Sequence, residues 1–313
     1  MNRTQAKRRW LLAAALSTLA ACRPAAEVPA EPETETPVPA PPVVEVIAYD
    51  FGFESPDAIA GGWVTLRMVN AGAQEHFLSV YRLPDGVSWG RFMDEAIGVF
   101  GAVWNAYAAG EASRAETWEA LFTELPEWWF SELDFAGGPA LTEPGETAET
   151  TVYLPPGTYN LECYVKTPEG TWHTELGMMR ELTVTGPTAG AQPPAADVTL
   201  TLSNYAIGVA GELRAGTHTI AVHSAETPEG FARHDLNLFR LGEGETVEAI
   251  VAWMDWMDFA QFRAPAPAYS LGGMEQQSAG RTGYLTVTLE PGHYAWVSEE
   301  YGARGMVHEF TIE

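Results

Sequence analysis

Short runs of alternating apolar and polar residues, broken by Gly, Pro and Asn turns, dominate the chain from about residue 44 onward. Val44 to Phe51, Trp63 to Val69 and Phe77 to Leu83 read as antiparallel strands. Between Asp94 and Phe135 the spacing becomes helical, with Trp104, Trp118, Leu121, Phe122, Leu125, Trp128 and Trp129 set among acidic residues. The reading there is one or two amphipathic helices inserted between strands, and a stripe of this kind covers a core more often than it docks a partner. Alternation resumes with a strand from Tyr159 to Tyr164, a loop holding the turn Pro168-Glu169-Gly170, and a closing strand from Met179 to Val184.

The pattern then repeats. His76-Phe-Leu-Ser-Val-Tyr-Arg-Leu-Pro-Asp-Gly86 aligns without gaps on His234-Asp-Leu-Asn-Leu-Phe-Arg-Leu-Gly-Glu-Gly244. Gly137-Gly138, Gly145, Leu154, Pro156-Gly157 and Tyr159 align on Gly272-Gly273, Gly280, Leu289, Pro291-Gly292 and Tyr294, and Gly177-Met178 aligns on Gly305-Met306. A tandem duplication of one all-β domain follows, as 44–186 and 197–313, with the helical insert in the first copy and a Pro/Ala linker at 187–196. The insert could also lie over the second copy and fuse the two into one body.

Composition adds an address. Arg3, Lys7, Arg8 and Arg9 precede the apolar run Trp10 to Ala21, too short to span a bilayer, so residues 1–21 read as an export signal. Leu19-Ala20-Ala21-Cys22 resembles the bacterial lipoprotein lipobox, which implies lipidation of Cys22 and a membrane anchor for the mature chain. Residues 22–43, rich in Pro, Glu, Ala and Thr, read as a disordered tether in the cell envelope. Removing residues 1–21 takes four of the 17 basic residues and none of the 42 acidic ones, leaving a formal charge near −29. Such a surface lacks the positive footprint that nucleic acid requires. It suits basic partners or salty surroundings.

The chemistry lies in the last loop of the first copy. With lipid on Cys22, Cys163 has no partner for a disulfide in an oxidising compartment. Cys163, His173 and Met178 present a thiol, an imidazole and a thioether between two strands, and His76 is the other histidine of the first copy. In the second copy Ser298 stands at the position of Cys163, the loop is seven residues shorter, and only His234 and Met306 survive. That copy should be metal-free, since a serine hydroxyl stays protonated where a thiolate would bind copper. The five histidines there, His218, His223, His234, His293 and His308, lack zinc-ligand spacing. Neither a phosphate-binding glycine loop nor a nucleophile elbow is present.

The Asn-containing turn from Asn70 to His76, the run Pro-Gly-x-Tyr-x-x-x-Cys at 156–163, then His173 and Gly177-Met178 together resemble the cupredoxin family of blue-copper proteins. The resemblance covers most of 44–186 and, in degenerate form, 197–313. It implies Greek-key β-sandwiches and one copper ion held by His76, Cys163 and His173, with Met178 as a weak axial ligand. The Cys-to-His gap, nine intervening residues, is longer than in the family's small electron carriers and nearer that of copper nitrite reductases. Electron transfer with a redox protein partner is the function implied, and a metal-free scaffold or a copper-sequestering protein is the alternative. A copper enzyme is disfavoured, because Glu162 and Tyr164 flank Cys163 where a multicopper enzyme places histidines. The electron-transfer reading further expects His173 beside Cys163 at a solvent-near end of the sandwich.

Overall fold

Alternation is clearest between Gly62 and Asn70, where Val64, Leu66, Met68 and Asn70 are buried and Trp63, Thr65, Arg67 and Val69 between them stay partly exposed. One face of that strand is core and the other is not, so its register is fixed. The computed structural model describes residues 39–187 and 190–313; the expected signal segment, Cys22 and the tether through residue 38 lie outside them. Eight strands make the first half: β1 (Val43–Tyr49), β2 (Gly52–Glu54), β3 (Ala58–Asn70), β4 (Ser79–Arg82), β5 (Asp134–Gly137), β6 (Thr147–Leu154), β7 (Gly157–Glu162) and β8 (Met179–Pro187). Eight more make the second: β9 (Val198–Ser203), β10 (Ala206–Ala210), β11 (Gly216–Ser224), β12 (His234–Leu241), β13 (Tyr269–Gln277), β14 (Thr282–Leu289), β15 (Gly292–Val297) and β16 (Val307–Ile312). The fold is all-β with a helical insert, as the sequence leads one to expect.

Both halves share the same connections. β1 runs parallel to β3 and β9 parallel to β11, while β4 pairs with β5 and β7 as β12 pairs with β13 and β15. Local packing repeats too. The Tyr159 hydroxyl donates to Pro155 O at 2.7 Å and its equivalent Tyr294 to Glu290 O at 2.8 Å. Gly138 and Gly273, at φ of 136° and 143°, lie so close to Leu78 O and Leu236 O that a Cβ would strike the carbonyl.

Equivalent strands meet at the seam. β6 pairs antiparallel with β14, and β5 bridges antiparallel to β13, so both layers run from one half into the other. One layer reads β2-β1-β3-β6-β14-β11-β9-β10 and the other β8-β7-β4-β5-β13-β12-β15-β16, with β3 also touching β8. A single buried apolar cluster extends from Val46 in β1 to Ile312 in β16.

The insert departs from expectation in its limits. It begins at Trp89, with α1 (Trp89–Phe92), a π turn (Met93–Ile97) and α2 (Gly98–Ala108), followed by α3 (Arg114–Glu124) and α4 (Glu127–Ser131). Ser88 caps α1 through the Arg91 N–H, and Ser113 with Glu116 forms a capping box on α3, which explains where each begins. Asp134 and Phe135, expected within the helical region, belong to β5, a strand too short to display alternation. Trp128, Trp129, Phe92 and Leu121 bury against Tyr81 and Phe135 as a second core. The insert also packs on the second half: Trp118 lies 5.1 Å from Trp256 between ring centres, the Tyr107 hydroxyl donates to Met257 O, and Arg114 pairs with Asp255. A further helix, α5 (Val247–Trp253), buries Val247, Ile250 and Trp253 at threefold spacing. Among the described residues no helix is long and apolar enough to cross a membrane.

Candidate metal centre

Asn70 at the end of β3 begins the centre. Its buried side chain donates to Gln74 O and Thr142 O, both at 2.8 Å, and accepts from the Gly72 N–H at 3.0 Å. This side-chain turn fixes the segment that carries Gly72, Gln74 and His76. His76 is locked further by backbone bonds in both directions with Thr142.

The second contribution is the loop from Cys163 to Met178. Cys163 lies just beyond β7, whose last residue is Glu162 rather than the expected Tyr164. Backbone bonds from Cys163 N to Met178 O, His173 N to Val165 O and Met178 N to His173 O draw the loop back on itself. A turn at Thr167 to Thr171 closes its tip, with Gly170 at φ 97°. Lys166 ties it to the second half: its N–H donates to Phe262 O, and its ammonium donates to Trp256 O, Asp258 O and Gln261 O at 2.6, 2.8 and 3.2 Å.

These two segments converge. The Cys163 sulfur lies 3.7 Å from His76 Nδ1 and 3.6 Å from His173 Nδ1, and the three donor atoms fall within 4.8 Å of one another, all buried. Each imidazole is held from behind. His76 Nε2 faces Asp50 Oδ1 at 2.8 Å and His173 Nε2 faces Gln74 Oε1 at 3.1 Å. Two acceptors on the Nε2 side assign the N–H to that nitrogen and leave each Nδ1 lone pair directed at the sulfur. Burial lowers both imidazoles below their ordinary value, His173 to about 3 with a further push from His76, so both are neutral at pH 7. Asp50 partly opposes the shift at His76.

Burial has the opposite effect on Cys163, raising its thiol despite the opposing backbone N–H groups of Phe77 and Val165. A thiol held between two neutral imidazoles, with the carboxyl groups of Glu275 and Glu162 as the charges acting on it, fits a soft or borderline metal ion that supplies the missing positive charge. The outer hydrogen bonds of both histidines fit the same reading, since metal-ligating imidazoles are oriented by an acceptor on the far nitrogen.

Met178 is buried and immediately follows the loop, its backbone bonded to both Cys163 and His173. His173 departs from the expectation of a solvent-near position: it is fully buried, its ring 4.6 Å from that of Phe51 and its outer nitrogen covered by Gln74. The surface begins one shell out, at Leu176, which is 44% exposed. Asp50, Gln74 and Phe51 escape sequence reasoning because a carboxylate among 42 acidic residues, an amide and a phenyl ring carry no spacing signal. The only trace was the Asn-containing turn, which includes Gln74.

Other side chains stand at the corresponding positions of the second half. Ser298 takes the place of Cys163, its N–H bonded to Met306 O at 3.2 Å, as Cys163 N is to Met178 O. Its hydroxyl donates to Asp235 at 2.6 Å. Tyr301 fills the position of His173, accepting the Met306 N–H and lying 5.7 Å from His234 between ring centres. His234 is buried with neither ring nitrogen hydrogen-bonded. Of the remaining histidines there, His218 and His223 on β11 bond to Arg214 O before that strand and Arg281 O before β14, and His293 faces Glu309 on the surface.

No protein-family model matches the chain, and no curated protein does. Among solved structures, a dithionite-reduced auracyanin from Roseiflexus castenholzii is 20% identical over 47% of this chain and 99% of its own, at a TM-score of 0.28. Auracyanin A, a blue copper protein from Chloroflexus aurantiacus, is 24% identical over 47% of this chain and all of its own, at 0.29. A multicopper oxidase is 15% identical over 87% of this chain and 88% of its own, at 0.24. Scores this low leave the functional reading on the donor geometry alone.

Proposed function

We propose that this protein is a cupredoxin-like electron carrier in which His76, Cys163 and His173 would hold one copper ion, with the Met178 thioether as a weaker fourth ligand. The observation that carries the reading is the direction of the two Nδ1 lone pairs onto one buried sulfur, with each Nε2 tied to Asp50 or Gln74. Thiolate with imidazole suits copper or zinc, and a buried methionine whose backbone is bonded to both Cys163 and His173 favours copper. A copper ion held there would supply one-electron redox chemistry. The chain's own task is to keep the donors fixed in both oxidation states, which the Asn70 turn and the doubled loop bonds do.

We also place the protein on an exported membrane surface through lipid on Cys22, with a protein partner for electron exchange meeting the surface at Leu176 and Phe51. A copper enzyme is the weaker reading, because Glu162 and Tyr164 flank Cys163. The test is an absorption spectrum of the protein titrated with Cu(II) and then reduced, beside a Zn(II) control. An intense visible band that bleaches on reduction and is absent from Cys163→Ser is expected. A colourless protein that retains no copper would sink the proposal.

A further inference from the structure

A cavity of about 190 Å³ lies where three parts of the chain meet: the helical insert, the ligand loop and the second half. Its wall is aromatic, with Phe100 and Trp104 from α2, Trp172 from the ligand loop and Trp256 from the second half. Three carboxylates join that wall, Glu162 and Glu299 away from bulk solvent and Glu175 exposed. Its volume exceeds the roughly 150 Å³ that admits benzene and falls short of the roughly 300 Å³ of a drug-sized pocket, so it suits one ring or a short alkyl body.

Glu162 and Glu299 lack a counter-charge. The Glu162 carboxylate is held by Asn160 at 3.2 Å, and Glu299 by the Tyr164 hydroxyl at 3.2 and 3.3 Å. All these partners are neutral. Among the described residues neither carboxylate forms an ion pair with Lys, Arg or His. Two cations border the cavity and both are engaged elsewhere: Lys166 is held by three carbonyls and lies over the rings of Trp104 and Trp172 at 4.9 and 4.4 Å, and Arg233 donates to Phe130 O and lies over the Phe135 ring at 5.6 Å. Burial with Asp235, Glu275 and Glu300 as neighbours raises Glu299 well above the usual carboxylate range, as expected of an acid left without a cation.

Aromatic faces and unpaired carboxylates recognise the same thing. We propose that this cavity binds a small organic ammonium ion on a single-ring or short alkyl body, its charge set between Glu299 and the rings that Lys166 does not cover, Phe100, Phe231 and Trp256. The strongly acidic chain favours the same ligand by raising the local concentration of cations. The inference concerns a site distinct from the metal centre and holds or fails without copper.

The experiment uses the full chain free of copper, with benzylammonium and its neutral isostere benzyl alcohol as probes. Binding is read by calorimetry and by the fluorescence of the tryptophans lining the cavity. Benzylammonium should bind about tenfold or more tightly than the alcohol. Glu299→Gln, which keeps an acceptor for Tyr164, should remove most of that preference. Gly101→Leu should block both probes; a Cβ on Gly101 meets nothing within 4 Å, so the added side chain starts in open space, and an unchanged melting temperature confirms that the variant folds. Equal affinity for the two probes, binding by neither, or undiminished binding to Gly101→Leu would overturn the proposal.

Discussion

Gly72 stands where any side chain would break the metal centre from outside. A Cβ there would strike Asp50 Oδ1 and lie 2.7 Å from His76 Nε2, so Gly72→Ala must push the carboxylate off the imidazole. The variant should fold, yet bind Cu(II) about tenfold or more weakly, because the lost partner orients the ligand rather than touching the metal; a competing chelator measures this. Glu300 gives a prediction in pH. Burial raises it to about 7 from an ordinary 4.5, against the opposing Trp256 N–H. Between those values the folded chain holds a proton that the unfolded chain has lost, so this group makes stability fall as pH rises through the window. Glu300→Gln should match the parent in denaturant unfolding at pH 4 and exceed it at pH 8, by on the order of 2 kcal/mol. Equal stability at both values would refute this assignment. At this scale the sequence was readable where side-chain chemistry is scarce. Cys163, His76 and His173 stand out because the first half holds one thiol and two imidazoles. Asp50 and Gln74 were not readable, since their types recur everywhere and only the folded chain brings them behind the rings.

The ligand loop depends on an element outside its own half. The Lys166 ammonium satisfies Trp256 O, Asp258 O and Gln261 O, which occupy the irregular segment after α5. Lys166→Met keeps the stem but leaves three partly buried carbonyls without their donor, at a cost of about 2 kcal/mol. Its copper-free melting temperature should drop, and copper should exchange faster, because the loop from Cys163 to Met178 has lost its outer anchor. An unchanged melting temperature would show that the three carbonyls find water instead. Among elements, long alternating runs such as β3 were legible, and their ends were not. β3 starts at Ala58, five residues before the expected Trp63, because Gly61 and Gly62 hide the alternation where β3 passes between layers. β5 was lost within the tail of the helical region, and α5 was unread, because four strand residues and two helical turns are too few to establish a period.

At the scale of the molecule, the repeat in sequence is visible as a repeat in strand connection, while the seam between halves was not legible. Alternation tells which face of β6 is buried and is silent on which strand lies beside it; that neighbour is β14, the equivalent strand of the other half. The halves share both layers, one apolar cluster, the insert's contacts with Trp256 and Phe231, and the Lys166 anchor. Separating them would strip the edges of β5, β6, β13 and β14 and expose tryptophan, so unfolding should be a single transition. Copper on the first half should therefore protect the second. Binding to the native state alone raises the free energy of every opening that passes through global unfolding, by about 2.7 kcal/mol at a hundredfold excess over the dissociation constant. Hydrogen exchange checks this at Ala295 and Trp296 in β15, which are buried and pair with β12 and β16 of the second half. Slower exchange there on copper loading, by the same factor as in β7, is the expected outcome. Protection confined to β4, β7 and the ligand loop would mean that the halves open independently, and that the seam holds them side by side without making them one cooperative unit.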